Sequence, residues 1–429
     1  MNSRKIVICS ALLVLAAGAG CGKRGTEPAA VPVDNEPAEL VVFGKPADPE
    51  DVFNARIGDA VRKKFPNYKI TYLPKDSNTT MEKLIAAGAQ VDLIYDSIGG
   101  APGSLIQTGS QFDLTDLAKK YKIDLGRFDP AILEAVTQLG GLYGLPIHTG
   151  GLVLYYNKDI FDQFGVAYPK NGMTWDEAIE IGNRLTRNEN GVQYIGLGLS
   201  IGHALNLNSY SLGYVDPKTE KAAINNDSFK KLVETIVLGP TRAPGYREKI
   251  ASINRTFNNN DFMKEKTMGM FVMNFGLQDQ QDFQTFEWDM APLPVFKDKP
   301  RVGTQPYPNI LFVTSFSKYK DQAVRVLQYL TSDEYQMSLS VRGYAPVVKN
   351  KEIREAFNRE TKFKDKNLAN AMFYNQFASP SAKTRYDGAV SGPFNSQLVK
   401  LILGETDVNT ALRVAEEEGN KNIEAQKNK

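Results

Sequence analysis

The chain contains very little cysteine and histidine, with two of each among 429 residues. Cys9 lies in an N-terminal segment that is expected to be removed, so the mature chain keeps Cys21 alone and has no cysteine pair for a disulfide. His148 and His203 fall in different predicted structural units, and two ligands do not make a zinc site. The sequence therefore predicts no metal site, no cofactor and a fold stabilised by its core.

Motifs for enzymatic chemistry and for nucleic-acid binding are also missing. The 51 basic and 49 acidic residues are spread along the chain and leave a net charge of +2, which is no footprint for nucleic acid. There is no P-loop, no Gly-x-Ser-x-Gly and no Gly-x-Gly-x-x-Gly after a strand. Tyr155 and Tyr156 are adjacent in a predicted strand and point to opposite faces, which argues against a paired-tyrosine iron site.

The N-terminus has the pattern of an export signal. Arg4 and Lys5 precede the apolar run Ile6–Ala17, which is too short to span a membrane comfortably, and small residues lead to Cys21. We interpret residues 1–20 as a lipoprotein signal peptide, with Cys21 as the lipidated first residue of the mature chain. The alternative is an ordinary secretion signal with an incidental cysteine. Residues 21–38, rich in Pro, Gly and Ala, are predicted to form a flexible tether.

Beyond the tether, strand and helix patterns alternate. The predicted order is strand, helix, strand, helix, strand, at Leu40–Phe43, Pro49–Phe65, Tyr68–Leu73, Thr79–Ala89 and Val91–Tyr95. Such an order is typical of a mostly parallel sheet with right-handed crossovers. Ligands bind beyond the carboxyl ends of such strands, which draws attention to Asp96 and Ser97. An ordinary loop cap is the alternative role for Asp96.

Glycine and proline punctuate residues 140–151, where Pro146 keeps the chain extended between five glycines. The predicted strand Leu152–Tyr156 follows, and Asn157 is placed to cap a short helix that Gly165 ends. A stretch of this kind suits a hinge between two rigid bodies.

This stretch carries a resemblance to a known family. The run LPIHTGGLVLYYNKDIF at 145–161, followed by TWDEAIEIGNRLT at 174–186, resembles the central signature of the family-1 extracellular solute-binding proteins. These proteins are the substrate receptors of ABC importers, in the clan that includes maltose-binding protein. The segments Ala291–Pro294 and Gly343–Val347 are similar to the family's second and third crossovers. The resemblance covers about nine tenths of the mature chain.

The resemblance implies an α/β fold of two lobes, of the type II periplasmic-binding-protein kind, with three interlobe crossovers. The N-terminal lobe is expected to comprise residues 39–148 plus 295–342. The C-terminal lobe is expected to comprise residues 149–290 plus 347–429. The crossovers are expected near residues 144–151, 291–294 and 343–346.

The resemblance also implies a solute site in the cleft between the lobes. Aromatic faces would stack on sugar rings, and polar side chains would bond sugar hydroxyls. Where the family commonly has Trp, this chain has Phe275, which offers a smaller face and no N–H donor. Helix-end packing is the alternative role for Arg342 and Tyr344. The predicted ligand-binding residues are Asp96, Ser97, His148, His203, Asn274, Phe275, Tyr307, Arg342 and Tyr344.

The function that follows is capture of a carbohydrate, expected to be an oligosaccharide, by hinge closure and its delivery to the transmembrane subunits of an ABC importer. The protein is expected to be a monomer without enzymatic activity or nucleic-acid partner, lipid-anchored through Cys21 at the outer face of the bacterial cytoplasmic membrane. A peptide, a polyol or a sugar phosphate is an alternative solute. Two other functions stay open: an exported hydrolase acting on polysaccharide, and a sensory receptor coupled to a membrane kinase.

Overall fold

The computed structural model describes residues 36–44, 48–279 and 281–428. The predicted signal peptide, Cys21 and most of the tether lie outside these residues. Among the described residues the strands are β1 (Ala38–Gly44), β2 (Tyr68–Pro74), β3 (Leu93–Ser97), β4 (Gly144–His148), β5 (Leu152–Asn157), β6 (Arg187–Glu189), β7 (Val192–Leu199), β8 (Val215–Asp216), β9 (Lys221–Ala222), β10 (Met268–Asn274), β11 (Trp288–Pro292) and β12 (Asn309–Val313).

The helices pack around these strands. In the same part of the chain they are α1 (Glu50–Phe53), α2 (Asp59–Lys64), α3 (Met81–Ala86), α4 (Thr115–Lys120), α5 (Pro130–Thr137), α6 (Lys158–Phe164), α7 (Trp175–Leu185), α8 (Ile201–Asn206), α9 (Asp227–Ile236), α10 (Tyr246–Ile253), α11 (Asn259–Met263), α12 (Lys320–Leu330), α13 (Asp333–Val341), α14 (Lys351–Glu355), α15 (Leu368–Phe373), α16 (Asp387–Leu403) and α17 (Val408–Lys427). A π-helical turn, Asn54–Gly58, joins α1 to α2.

Two five-stranded sheets, each with its own hydrophobic core, form two lobes. The first lobe contains the sheet β2-β1-β3-β12-β4 and a core that runs from Ala38 to Ile147 and from Ile310 to Ile353. The second lobe contains the sheet β11-β5-β10-β7-β6 and a core that includes Leu152 to Phe296 and Phe357 to Ile423. The predicted two-lobe α/β fold is confirmed.

In the first sheet the three strands predicted to be parallel are parallel, but the whole sheet is mixed and not mostly parallel. β1 lies parallel to both β2 and β3, while β12 returns antiparallel between β3 and β4. The third strand begins and ends two residues later than predicted, because β12 pairs with Asp96 and Ser97 as well as with the apolar residues before them. These two residues therefore end the strand instead of beginning the loop.

Local signals in the second lobe are formed as predicted. The Asn157 side chain accepts a hydrogen bond from the Ile160 backbone N–H, and Gly165 ends α6 with a φ of 63°. Thr174 and Glu177 form the predicted capping box at the start of α7. This helix lies directly on β7, since a Cβ added at Gly196 would lie 1.9 Å from the backbone oxygen of Gly182.

The chain passes between the two cores three times, and two of these passages lie later than the predicted boundaries. Residues 149–151 form the first passage. Phe296 still packs in the second core, because Val295 pairs with the start of α7, so the second passage lies between Phe296 and β12. The third passage is longer: Ala345 packs in the second core, Val347 packs in the first core, where its N–H donates to the Gln336 side chain, and the chain leaves the first core for the last time after Ile353.

No helix in the described part of the chain is both long enough and apolar enough to cross a membrane.

Candidate functional site

A cavity of about 610 Å³ lies between the two lobes. The first lobe contributes the turn after β3 and the short π-helix Pro102–Ile106 that follows it. The second lobe contributes α8 and the segment that leads into α16, and Tyr307 lies between them on the second passage. The lining residues are Gly99, Gly100, Pro102, Gly103, Gln107, Ser200, Gly202, His203, Asn206, Tyr214, Tyr307, Lys383, Thr384, Arg385, Asp387, Gly388, Ser391 and Asn395.

Asp96 lies behind the first-lobe wall of the cavity and holds the turn that forms this wall. Its side chain is buried, accepts a hydrogen bond from the Ser97 N–H at 2.7 Å and another from the Ser104 hydroxyl at 2.5 Å. A Cβ added at Gly100 would lie 2.2 Å from Asp96 Oδ1, so the turn can pass this close only because residue 100 is glycine. Asp96 thus fixes the turn whose glycines line the cavity.

Ser97, Tyr307 and His203 connect the two lobes across the cavity. A hydrogen bond of 3.1 Å joins the hydroxyls of Ser97 and Tyr307, and the rings of Tyr307 and His203 meet edge to face at 6.4 Å. Burial lowers the pKa of His203 and raises the pKa of Tyr307, so both side chains are neutral at physiological pH. The Ser200 hydroxyl and His203 Nδ1 lie 2.8 Å apart and share a hydrogen bond.

His148, Arg342 and Tyr344 lie outside the cavity lining, in the first lobe. His148 Nε2 shares a hydrogen bond of 2.8 Å with the Tyr95 hydroxyl, and its ring centroid is 5.7 Å from that of Tyr344. Burial, with the nearby Arg56 charge, holds the pKa of His148 well below its usual value. Arg342 donates to the backbone oxygens of Ala55 and Ser338, which is helix-end packing.

Asn274 and Phe275 lie at the end of β10, beside the first passage between the lobes. The Phe275 N–H donates to the Gly151 oxygen at 2.9 Å, and its ring packs against Phe357 of the second core. Among the described residues, Asn274 Oδ1 is buried and has no hydrogen-bond partner. Neither residue lines the cavity, so the structure brings only His203 and Tyr307 of the nine predicted residues into the lining, with Asp96 and Ser97 directly behind it.

The segment 380–388, which leads into α16, supplies much of the second-lobe lining and was missed by sequence reasoning. Lys383 is half-buried and donates to Asn206 and Ser381; burial lowers its pKa to about 8, against the opposing charge of Asp387. Burial raises the pKa of Asp387, whose Oδ1 accepts a hydrogen bond of 2.7 Å from the Thr384 hydroxyl. The polar run SAKTRYDG before an apolar helix was the available signal.

Two side chains of the first lobe bind the backbone of this segment. Gln107 Nε2 donates to the Arg385 oxygen at 3.0 Å, and Gln138 Nε2 donates to the Pro380 oxygen at 2.8 Å. Both bonds join the first lobe to this segment, and Gln107 also lines the cavity.

The lining offers hydrogen-bond donors and acceptors of several kinds, with glycines between them. In the described residues, no group of three or more His, Cys, Asp or Glu side chains is arranged to hold a metal ion. The arrangement suits a polar small molecule that contacts both lobes at once.

Comparison with known proteins gives relatives that are binding proteins. The sequence profile of the family described as "Bacterial extracellular solute-binding protein" matches residues 46–337. The arabinooligosaccharide-binding protein of Bacillus subtilis is 28% identical over 178 residues, which are 40% of each chain, and the lactose-binding protein of Rhizobium radiobacter is 26% identical over 259 residues, 56% of each. The matched stretch therefore covers about half the length of these curated relatives.

Solved structures extend the likeness to nearly the whole chain. An ABC substrate-binding protein of Listeria monocytogenes in complex with cycloalternan is 20% identical, with a TM-score of 0.73, covering 91% of this chain and 100% of that one. A sugar transporter of Rhizobium etli in an open conformation is 21% identical, with a TM-score of 0.71, covering 90% and 99%. The predicted two-lobe, type II fold is confirmed by these neighbours. Since the family profile matches more than half of the chain, this protein belongs to the bacterial extracellular solute-binding protein family.

Proposed function

We propose that this protein captures a carbohydrate, in the class of oligosaccharides, between its lobes and delivers it to the transmembrane subunits of an ABC importer. The observation that carries the proposal is the cavity of about 610 Å³ to which both lobes contribute. Its volume lies within the range of about 300–1,000 Å³ that is usual for small-molecule sites. A molecule held there bonds to the two lobes together, so its binding favours the closed arrangement.

The chemistry of the lining supports a polyhydroxylated solute. Hydroxyl, amide and charged groups surround the space, and sugar hydroxyls both donate and accept hydrogen bonds. His203 and Tyr307 are the predicted residues that we retain as direct contacts, together with Asn206 and Arg385. Asp96 and Ser97 act by holding the glycine turn and Tyr307 in place.

The named ligands of the relatives support the same class. Beside arabinooligosaccharide and lactose, the solved neighbours include complexes with cycloalternan, mannobiose and mannotriose. A mannitol-binding protein and a protein in complex with glycerophosphocholine are also among the similar proteins, so a polyol and a phosphate ester are the competing solutes.

The location and the anchor are part of the proposal. We propose that Cys21, which lies outside the described residues, carries lipid and holds the protein at the outer face of the cytoplasmic membrane as a monomer. The basic, apolar and small-residue order of the first twenty residues supports this.

A thermal-shift screen tests the proposed ligand class. Purified protein is heated with lactose, mannobiose, mannotriose, arabinooligosaccharides, D-mannitol and glycerophosphocholine, since a bound solute raises Tm with the logarithm of its concentration over Kd. We expect one of the oligosaccharides to raise Tm at millimolar concentration. A shift with mannitol or glycerophosphocholine alone, or with none of the panel, contradicts the carbohydrate proposal. Chromatography of the mixtures distinguishes binding from hydrolysis.

A matched pair of glycine substitutions tests the position of the site. Gly202 lies in α8 on the cavity wall and Gly392 lies in α16 outside the lining, and a Cβ at either position meets no atom within 4 Å. We expect Gly202→Leu to fill part of the cavity and abolish the sugar-dependent shift without lowering the basal Tm. Gly392→Leu, the same change in the same kind of element, should leave the shift intact. Equal shifts in both variants would place the solute elsewhere.

A further inference from the structure

Lys383 uses all of its hydrogen-bonding capacity inside the second lobe. Its Nζ donates to the Asn206 backbone oxygen at 3.0 Å, to Asn206 Oδ1 at 2.8 Å and to Ser381 Oγ at 2.9 Å. A lysine ammonium has three hydrogens, so none is left for a solute. Although Lys383 borders the cavity, its bonds are therefore directed to the protein.

Two of the three bonds go to one residue, and they fix the orientation of its amide. Because Asn206 Oδ1 accepts from an ammonium, which only donates, the side-chain oxygen must face Lys383 and the NH₂ group must point away from it. Asn206 ends α8 and lines the cavity, and its Nδ2 has no bonding partner within the described chain. The same ammonium also binds a carbonyl at the C-terminal end of α8, where a positive charge is favourable.

We propose that Lys383 is a positioning residue for the solute site, which orients Asn206 so that its NH₂ group donates to the solute. Resting on the proposed function, this adds a rule of specificity: the solute must present an acceptor oxygen at Asn206, such as a hydroxyl or ring oxygen of a sugar. A solute with a donor-only group at that point is rejected, because the amide cannot turn without breaking the bond to Lys383.

Protonation of Lys383 is what maintains this orientation. Titratable and charged groups face it from every neighbouring element: His203 on α8, Asp387 on α16, Arg385 and Tyr386 in its own segment, Tyr214, Tyr307, and Glu220 across a smaller cavity of about 220 Å³. Burial keeps His203 neutral above pH 7 and raises the pKa values of Tyr214 and Tyr307, whereas it lowers the pKa of Lys383 to about 8. As pH rises through about 8, Lys383 becomes a neutral amine with two hydrogens and one lone pair, so it no longer requires Asn206 to present its oxygen.

A spectrum of the sugar-free protein tests the positioning step by itself. With ¹⁵N-labelled asparagine, the side-chain amide signals of Asn206 are followed from pH 7 to 9 in wild type, Lys383→Met and Lys400→Met, where Lys400 is an exposed lysine on α16. We expect the signals to move with a midpoint near pH 8 in wild type and in the Lys400 variant, and to be displaced and insensitive to pH in the Lys383 variant. Signals of Asn206 that coincide in all three proteins would overturn the proposal. The backbone amide signals report whether each variant is folded.

Calorimetric titration with lactose and mannotriose tests the consequence for the site. Wild type should bind about 2- to 10-fold more weakly at pH 9 than at pH 7, the effect of losing one neutral hydrogen bond. Lys383→Met should bind weakly at both pH values. The Asn206→Asp variant loses the NH₂ donor but gives Lys383 a charged partner. It should therefore bind sugar weakly, and its Lys383 should titrate at a higher pH than in the wild type. If Lys383→Met binds the sugar as tightly as the wild type does, the proposal is overturned. If no protein binds either sugar but the Asn206 signals still change as expected, the carbohydrate assignment is overturned instead.

Discussion

Removing the bonds from Gln107 and Gln138 to the segment 380–388 is expected to shift the protein toward the open arrangement. Each amide of the first lobe donates to a backbone oxygen of the second lobe, at 3.0 Å and 2.8 Å. Both bonds exist only while the lobes are close together. Replacing both residues by alanine therefore destabilises the closed state and leaves the folding of each lobe unchanged.

The size of the effect follows from the surroundings of the two bonds. A net hydrogen bond contributes about 0.5–1.5 kcal/mol, with the lower part of that range suited to the solvent-exposed bond of Gln107 and the upper part to the partly buried bond of Gln138. Together they contribute about 1.5–2.5 kcal/mol, which is roughly a 10- to 70-fold change in the ratio of closed to open protein. The apparent Kd for a solute that requires closure should rise by up to the same factor, because it is inversely proportional to the closed fraction.

Small-angle scattering and stopped-flow binding with the sugar that gives a thermal shift check this expectation. We expect the double variant to have a larger radius of gyration without sugar and a faster dissociation rate with it. Gln328→Ala is the matched control, because its Nε2 donates at 2.8 Å to the Tyr121 oxygen within the first lobe. A double variant with the radius of gyration and Kd of the wild type would refute the idea that these bonds stabilise closure.

Three further outcomes are expected. Because folded His148 resists protonation while the unfolded chain accepts a proton near pH 6.5, the free energy of unfolding should fall as pH decreases below that value, by up to about 1.4 kcal/mol per pH unit. Urea unfolding of His148→Gln should show a weaker dependence, with a remainder due to His203, and an unchanged slope would contradict this. Asp96→Ala should destabilise the protein by about 1–3 kcal/mol, because the Ser97 N–H and the Ser104 hydroxyl lose their acceptor; a Tm equal to that of wild type would show that the turn holds itself. Cys21→Ser should move the protein from the membrane to the soluble fraction and abolish incorporation of labelled palmitate, and retention of either would argue against lipidation there.

The fold was predictable because its signals are local. The alternation of strands and helices in the first lobe, the cap at Asn157 and the capping box at Thr174 are each specified by residues a few positions apart, and all are formed. The passages between lobes were less predictable, because which core receives Phe296 or Val347 depends on tertiary pairing and not on the neighbouring sequence.

The cavity lining was only partly predictable, for a geometric reason. The resemblance includes His148 among the predicted ligand-binding residues, but it does not say where the side chain points, and His148 turns toward Tyr95 inside the first lobe. Lys383 and Asn206 are 177 positions apart, and Gln107 and Arg385 are 278 apart. No pattern within a single stretch relates residues at such distances, so their meeting becomes visible only in the fold.

The connecting stretches and the segment 380–388 have different roles in the closure of the two lobes. Between the lobes, Gly150 and Tyr307 exchange two backbone hydrogen bonds, and the Thr149 N–H donates to the Ala345 oxygen, so the first two passages lie side by side with Ala345 held against them. These bonds join the connecting stretches to one another, so we expect them to restrict the direction of motion without favouring the open or the closed arrangement. The segment 380–388, in contrast, bonds to the first lobe only when the cleft is closed and also carries Lys383, which sets the donor that faces the solute. Its contacts, more than those of the hinge, should therefore decide both how strongly closure is favoured and which solute favours it.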